Sequence, residues 1–486
     1  MKKLLLFLLL FSKSSLFSQT VLNSFPIHLN KPLENGQILN TEDVKTHDVY
    51  VFAADNKNTF IYKYNKFLFL TNQLTDSINN IENRSLIGHS ISEDGNPTLY
   101  WGSDTARNIR IIKYYFETKT SRALNFEFPD YSGSLITSFQ KNNIFYILSK
   151  EKNENHLLLY EFSNGKCEIK MFDFSSFIFK NEKGQRFTFS SLIQYFPIEN
   201  IDSDNFNPLE KSVNKSKMYV LDNHIILTLD YNSKQTHVFD LNLESLDVTE
   251  KIFNQPVSKK QSASSNSFYL ENKLLQINAN NEELLFEIKD FESGKSIKTV
   301  SVSKNDTIRF KNSPLFIKSN GQRPEKLKTT SKFLKNLSMV NVGVSAFKNK
   351  NNTFITFGGF AEYEVSIPNF DYRPSDYFGG FNDRYTQYAN KMVFFDAMLD
   401  SKFDFTTNEQ PEILAIDNVF YFMSKNKNIA LEHILKLQDY YILGYYDLYS
   451  KKYVIRKFTD GFMNEDNGNP IINKAQFTKS VPLNRN

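Results

Sequence analysis

The chain has 486 residues, of which 40% are hydrophobic and 15% aromatic, and its formal charge is +4. Lys2, Lys3 and Lys13 supply three of those charges, so residues 19–486 carry +1, which excludes the electrostatic footprint of a nucleic-acid or anionic-membrane binder. The single cysteine, Cys167, excludes an intramolecular disulfide and leaves stability to core burial, for which a chain of this length is ample.

Residues 1–18 have the layout of a secretory signal peptide: Lys2 and Lys3, an apolar run over residues 4–11, and a small-residue region ending at Ser18. Cleavage there leaves Gln19 as the first mature residue. An eight-residue apolar core falls far short of the roughly 20 that a spanning helix needs. No other stretch is longer, so the mature chain is expected to be exported, with no transmembrane segment: periplasmic, cell-surface associated or extracellular. Heavy use of Asn, Lys, Ile and Phe points to an AT-rich bacterial genome.

Residues 48–71 predict three strands, separated by Asp55-Asn56-Lys57-Asn58 and by Asn65. A fourth is expected either from residues 27–40 or from the far C-terminus, around residues 474–481. The second unit covers residues 85–128, with Ser92-Glu93-Asp94-Gly95-Asn96 ahead of Thr98-Leu99-Tyr100-Trp101. The third, residues 133–174, is the clearest, with apolar runs at 134–139, 144–149, 156–162 and 167–172. Asn142-Asn143 and Asn164-Gly165 accept the positive φ that tight hairpins need. Cys167, Ile169 and Met171 alternate on what should be the buried face of the last run, where the thiol acts as a small hydrophobe.

The fourth unit pairs residues 218–221 with 224–229 across Asp222-Asn223, then adds 236–241 and 248–253. The fifth repeats this across Glu271-Asn272. A sixth begins near Met339, turns at residues 349–352, and resumes at 392–397 and 403–405. The seventh is expected to turn at Asp417-Asn418, make a short helical excursion over residues 428–437, and end with strands at 441–448 and 453–458. Five units share an aromatic, acid, apolar triplet on the expected third strand: Tyr160-Glu161-Phe162, Phe239-Asp240-Leu241, Phe286-Glu287-Ile288, Phe395-Asp396-Ala397 and Tyr446-Asp447-Leu448. Because each acid alternates with apolar neighbours, a solvent-facing or turn-capping role is expected.

Seven four-stranded units at this spacing fit an all-β fold, a β-propeller in which radial packing protects the sheet edges. Residues 19–486 then form one propeller domain with insertions at 175–216 and 358–390. Two β-sandwiches, or rings of six or eight blades, are the competing arrangements. The stretch around Asp94-Gly95 resembles the Ser-Pro-Asp-Gly-x-x-hydrophobic repeat of TolB-like β-propellers, with Glu93 in place of the proline. That resemblance implies a fold and a structural turn, and no chemistry.

Chemical signatures are sparse. The seven histidines, His28, His47, His89, His156, His224, His237 and His433, include no pair at metal-ligand spacing, so no metal or other cofactor is expected. No Gly-x-Ser-x-Gly elbow is present. Paired carboxylates on a deep central funnel would make a carbohydrate-active enzyme, the alternative reading. The first insertion carries Phe187, Phe189, Leu192, Ile193 and Phe196, which predict a short helix capping the ring. The second holds Tyr363, Phe370, Tyr372, Tyr377, Phe378, Phe381, Tyr385 and Tyr388, with glycines at 358, 359, 379 and 380 expected to let it move as a loop. Tyrosine offers contact area with a polar tip, which suits a protein or carbohydrate partner. Tyr363, Tyr372, Tyr377, Phe378, Tyr385 and Tyr388 are the candidate binding residues of an exported binding or scaffold module.

Overall fold

The computed structural model describes residues 19–461, apart from 78–83, 104–107, 130–131, 259–263, 321, 351, 369–383, 408–412 and 439. Among these residues the short alternating runs pair into seven sheets of four or five strands, plus one two-stranded sheet. Blade 1 comprises Gln37–Glu42, Val49–Ala54, Thr59–Tyr64 and Leu70–Asp76. Blade 2 comprises Arg84–Ile91, Pro97–Ser103, Asn108–Tyr115 and Thr120–Glu127. Blade 3 comprises Ser132–Lys141, Ile144–Glu151, His156–Ser163 and Lys166–Asp173. Blade 4 is built on Ser216–Val220, His224–Asn232, Gln235–Asn242 and Val248–Asn254, and blade 5 on Ser264–Leu270, Lys273–Ala279, Glu283–Asp290 and Ser296–Ser303. The turn chemistry is as the sequence demands: Asn142 and Asn143 have φ of 52° and 64°, and Glu271 and Asn272 have 42° and 61°, two consecutive positive φ as in type I′ hairpins.

Apolar clusters join each sheet to the next and close the ring. In blade 2, Leu99 and Trp101 pack against Tyr50, Phe52 and Ile61 of blade 1, while Tyr100 between them packs against Phe145 and Tyr160 of blade 3. Successive residues of a strand point to opposite faces, so each central strand serves two interfaces. Further clusters join blades 3 and 4, blades 4, 5 and 6, blades 6 and 7, and blades 7 and 1. The fold is a seven-bladed β-propeller. The fourth strands of blades 1 and 2 are largely exposed, which puts the first strands innermost, around the axis. Each inner strand runs away from the rim that carries the inter-blade connections and the second-to-third strand turns, here called the connection rim.

The Asp94-Gly95 turn is structural, as its resemblance implied. Asp94 Oδ1 accepts from Asn96 N at 3.1 Å, Gly95 has φ 73°, and Tyr50 Oη donates to Gly95 O at 2.8 Å from blade 1.

Several expectations are corrected. The strand that completes blade 1 is its inner one, Gln37–Glu42, from the first of the two expected segments, but the ring is closed elsewhere: Gln19–Pro26 pairs with Lys452–Phe458 as the outer strand of blade 7. Residues 474–481 lie outside the described set. In blade 6, residues 403–405 make a single bridge, Leu399 to Phe405, and the fourth strand is instead Leu315–Ser319, which precedes the rest of its blade in sequence and is edged in turn by Glu325–Leu327. In blade 7, Asp417 and Asn418 lie in a helix, Ala415–Lys425, where the Asp417 carboxylate accepts from Leu414 N at 3.3 Å at the helix start. The expected helical excursion is the inner strand, Ile429–Leu437. The Tyr446-Asp447 triplet consequently falls on the second strand of its blade, Tyr440–Asp447, and not the third. Cys167 is half-buried, but Ile169 and Met171 are 40% and 47% exposed because they sit on an outermost strand. Burial pushes the Cys167 thiol up to about 12, with Glu161 adding, so it is an unreactive group.

Candidate binding surface

The second insertion is a continuation of blade 6, not a loop. Asn352–Pro368 and Arg384–Leu399 are 17 and 16 residues long, and their ladder runs unbroken from Thr353 opposite Leu399 to Pro368 opposite Arg384. The inner neighbour ends at Asn341 opposite Phe360, and the outer neighbour at Ser319 opposite Lys391. Beyond those points a two-stranded ribbon leaves the blade at the connection rim. Eight residues of extended chain, Ala361 to Pro368, span roughly 25 Å at about 3.3 Å each.

Gly358 and Gly359 are not hinges. A Cβ at Gly358 would stand 2.1 Å from Val393 O, and one at Gly359 would stand 2.5 Å from Val340 Cγ2. Both are packing positions at which the backbone approaches its neighbours. Gly379 and Gly380 lie outside the described residues.

Of the candidate binding residues, Tyr363 and Tyr388 are exposed at 46% and 64%, near the base of the ribbon. Tyr363 stands opposite Ala389, and Tyr388 opposite Glu364, whose carboxylate accepts from Tyr388 Oη at 3.3 Å. The two rings therefore project from opposite faces of the ribbon. The Tyr385 backbone continues the ladder opposite Ile367. Tyr372, Tyr377 and Phe378 lie outside the described residues.

The first insertion behaves differently from its expectation. Its helix, Phe189–Tyr195, does not cap the ring; Phe189, Leu192 and Ile193 pack with Phe174, Phe179 and Phe239 in the seam between blades 3 and 4. Phe174 and Phe189 stack at 3.8 Å. The segment that follows enters the axis. Ile198–Ile201 pairs in parallel with the inner strand of blade 4, on its axial side. Residues 202–207 then reach the far rim, where Ser345 Oγ of blade 6 donates to Asn207 O at 2.6 Å and Tyr441 Oη of blade 7 donates to Asn205 Oδ1 at 3.2 Å. Lys141 of blade 3 pairs with Asp204 at 3.4 Å. The chain returns through the short helix Leu209–Ser212, with Leu209 and Val213 packed against Phe316, Met392 and Phe394 on the side of blade 6 that faces blade 7. Gly343 and Gly358 make room for this return, since a Cβ on either would meet Val213 or Leu209 below 3.0 Å. The channel is thus occupied by the protein's own chain, and no sequence signal marked the polar run 202–207 for that role.

The five triplet acids are each partnered within their own blade. Glu161 pairs with Lys170 at 2.8 Å, Asp240 with His224 at 2.6 Å, Glu287 with Lys289 at 3.2 Å, Asp396 accepts from Thr356 Oγ1 at 2.6 Å, and Asp447 accepts from Ser450 N at 2.7 Å. The five triplet acids do not converge. Among the described residues no group of three or more His, Cys, Asp or Glu is placed to hold a metal ion.

Two histidines sit on inner strands and bridge blades. His89 Nδ1 meets Gln140 Nε2 of blade 3 at 2.5 Å, and His433 Nδ1 accepts from Asn40 N of blade 1 at 3.3 Å. Burial pulls His89 down to about 3, with His433 adding, and pulls His433 down to about 4. Both are neutral when folded, whereas an unfolded histidine titrates near 6.5. Stability from these groups is complete above about pH 6.5 and is lost as the pH falls from there toward 4 and 3. Thermal melts at pH 7.5 and 4.5 should therefore differ by an acid destabilisation of about 3 kcal/mol or less from His89. His89→Asn, which keeps an acceptor for Gln140, should flatten that dependence; an unchanged slope would show that His89 is not its source.

No protein-family model and no curated protein sequence matches the chain. Solved structures similar to it include the WD40 domain of SCAP from fission yeast, 10% identical over 92% of this chain and 98% of that one, at a TM-score of 0.31. TolB from Acinetobacter baumannii is 13% identical over 55% of each chain at 0.24, and exo-β-1,3-galactanase from Phanerochaete chrysosporium is 10% identical over 78% and 98% at 0.25. These scores carry nothing about function. Among the described residues no helix is long and apolar enough to cross a membrane.

Proposed function

We propose that the protein is an exported binding or scaffold module that recognises a protein partner or a glycan through the ribbon of blade 6. The observation that carries this reading is the projection of the ribbon beyond its blade with Tyr363 and Tyr388 exposed on opposite faces. A rigid ladder presents such rings at little conformational cost on binding, which is the property of an interface anchor. Occupation of the axis by residues 198–213 supports this reading over the carbohydrate-active enzyme, whose paired carboxylates need an open funnel. Export rests on the layout of residues 1–18.

The test is binding to a glycan array and to envelope proteins of the host, with the wild type beside a Tyr363→Ala/Tyr388→Ala variant. Each lost ring contact is expected to cost about 1–3 kcal/mol, so the double variant should bind at least tenfold more weakly while its melting temperature is unchanged. Extending the substitutions to Tyr372, Tyr377, Phe378 and Tyr385 should abolish binding. If the double variant unfolds, or binds like the wild type, the ribbon is not the recognition surface.

A further inference from the structure

A second feature lies away from the ribbon. A cavity of about 180 Å³ opens at the connection rim between blades 2 and 3. Its walls are Ile87 and Ile109 of blade 2, Leu135, Ile136 and Ile147 of blade 3, and Phe128 from the connection between them. Gly102 also lines it; a Cβ there would already stand 3.0 Å from Ile87 Cγ2, so a side chain at this position would intrude on the space. Seams between propeller blades are ordinarily filled by interdigitating side chains, as Tyr100, Phe145 and Phe162 fill the same seam deeper in.

One lining residue is chemically unsatisfied. Asn108 begins the third strand of blade 2, and its side-chain Oδ1 is buried with no donor. Ser103 Oγ, at the end of the second strand, donates to the Asn108 backbone oxygen at 3.5 Å. Buried acceptors of this kind are nearly always paired, by protein, water or ligand. Ser103, Thr137 and Ser138 also line the cavity, and of these Ser103 Oγ and Thr137 Oγ1 donate to backbone oxygens, Asn108 O at 3.5 Å and Ser138 O at 3.4 Å.

Size and chemistry together define the occupant. An apolar cavity of about 150 Å³ accommodates benzene. We propose that this cavity binds a single aromatic ring carrying one hydrogen-bond donor, a phenol or a compound of that class, with the ring among Ile87, Ile109, Leu135 and Phe128 and the donor given to Asn108 Oδ1. The ring replaces missing packing between two blades, and the donor satisfies the one orphan acceptor. The site is independent of the ribbon, so neither reading depends on the other.

The experiment titrates the full chain with phenol and with benzene, followed by isothermal calorimetry and by methyl NMR. Phenol should bind saturably and about tenfold more tightly than benzene, the increment of one hydrogen bond. The methyl shifts should be confined to Ile87, Ile109, Leu135, Ile136 and Ile147. Asn108→Leu should bring phenol down to the affinity of benzene. Leu135→Trp, at a position 37% exposed and hence tolerant of size, should fill the cavity and abolish both. Failure of phenol to saturate, equal affinities for the two probes in the wild type, shifts distributed elsewhere, or undiminished phenol affinity in Leu135→Trp would each overturn the proposal. If Leu135→Trp does not fold, the wild-type shift map and the Asn108→Leu ratio decide it.

Discussion

Lys217→Met is expected to cost about 3–5 kcal/mol of folding stability, the range for breaking a buried ion pair from one side. Lys217 lies on the inner strand of blade 4 and is fully buried. Its Nζ donates to Asp230 Oδ2 at 3.0 Å, to Asn266 Oδ1 at 2.6 Å and to Asn214 O at 2.7 Å, so all three donors are used. Asp230 is equally saturated, accepting from Thr236 Oγ1 at 2.7 Å and from Ser267 N and Oγ at 3.0 and 2.8 Å. Burial alone would raise the Asp230 carboxyl, but Lys217 above all, with Thr236, Lys215 and Ser267, holds it below the usual carboxylate value. Methionine fills the volume and leaves that carboxylate without the ammonium it bonds directly, with only the Lys215 charge still favouring it. Lys217→Met/Asp230→Asn removes the stranded charge while keeping a polar partner for Thr236 and Ser267, and should recover more than half of the loss. Urea melts of the three proteins decide the matter; a Lys217→Met variant within 1 kcal/mol of wild type, on the scale of ordinary surface changes, would overturn the assignment.

The same cluster ties the axial segment, residues 198–213, to the ring. Asn266 of blade 5 donates to Val213 O at 2.8 Å and to Val342 O of blade 6 at 2.9 Å, and Lys217 holds the next carbonyl, Asn214 O. Loss of Lys217 should therefore appear first as faster amide exchange in residues 198–213, before global unfolding, because local openings start where anchoring contacts are lost.

Much of the fold was legible because blades obey period-two alternation bounded by turn residues that tolerate positive φ. Blades 1 to 5 follow that rule. Blades 6 and 7 depart from it for identifiable reasons. The fourth strand of blade 6, Leu315–Ser319, pairs with Lys391 to Phe394 across more than seventy positions, and nothing local marks such a partner. In blade 7, Ile429–Leu437 carries a register shift between Ala430 and His433, with Leu431 at φ 53°. A bulge of that kind breaks the alternation and makes a strand read as helical. Conversely, Asp417-Asn418 is a turn signal in isolation, yet Ile416 and Val419 bury one face of a real helix against Leu443 and Phe458.

The candidate binding surface was legible only in part. Aromatic density located the ribbon, but its extended form depends on pairing between residues 352–368 and 384–399, which the Gly-rich flanks obscured. The axial segment was not legible at all, since residues 202–207 are fixed by Ser345, Lys436 and Tyr441, more than 130 positions downstream.

Removal of residues 19–26 is the other change expected to have a large effect. Seven positions of this strand, from Gln19 opposite Phe458 to Pro26 opposite Lys452, complete the ladder of blade 7 with the far end of the described chain. Phe25 fills the junction with blade 1, its ring 4.3 Å from that of Tyr62 and 5.3 Å from that of Tyr453. Ile27 and Leu29 follow it into the same cluster. Deletion exposes the edge of Lys452–Phe458, an unpaired row of backbone groups that templates association with other chains. It also leaves Tyr62, Tyr64 and Tyr453 facing a void where an aromatic ring stood, a loss of about 3 kcal/mol or more by comparison with aromatic-to-alanine changes in cores. Comparison of the 19–486 and 27–486 chains should therefore show a lower melting temperature together with concentration-dependent aggregation of the shorter one. Phe25→Ala separates the two contributions: it should reproduce the fall in melting temperature in part but, with the ladder still complete, leave the protein monomeric. If the shorter chain melts like the longer one and stays monomeric, Gln19–Pro26 does not close the ring.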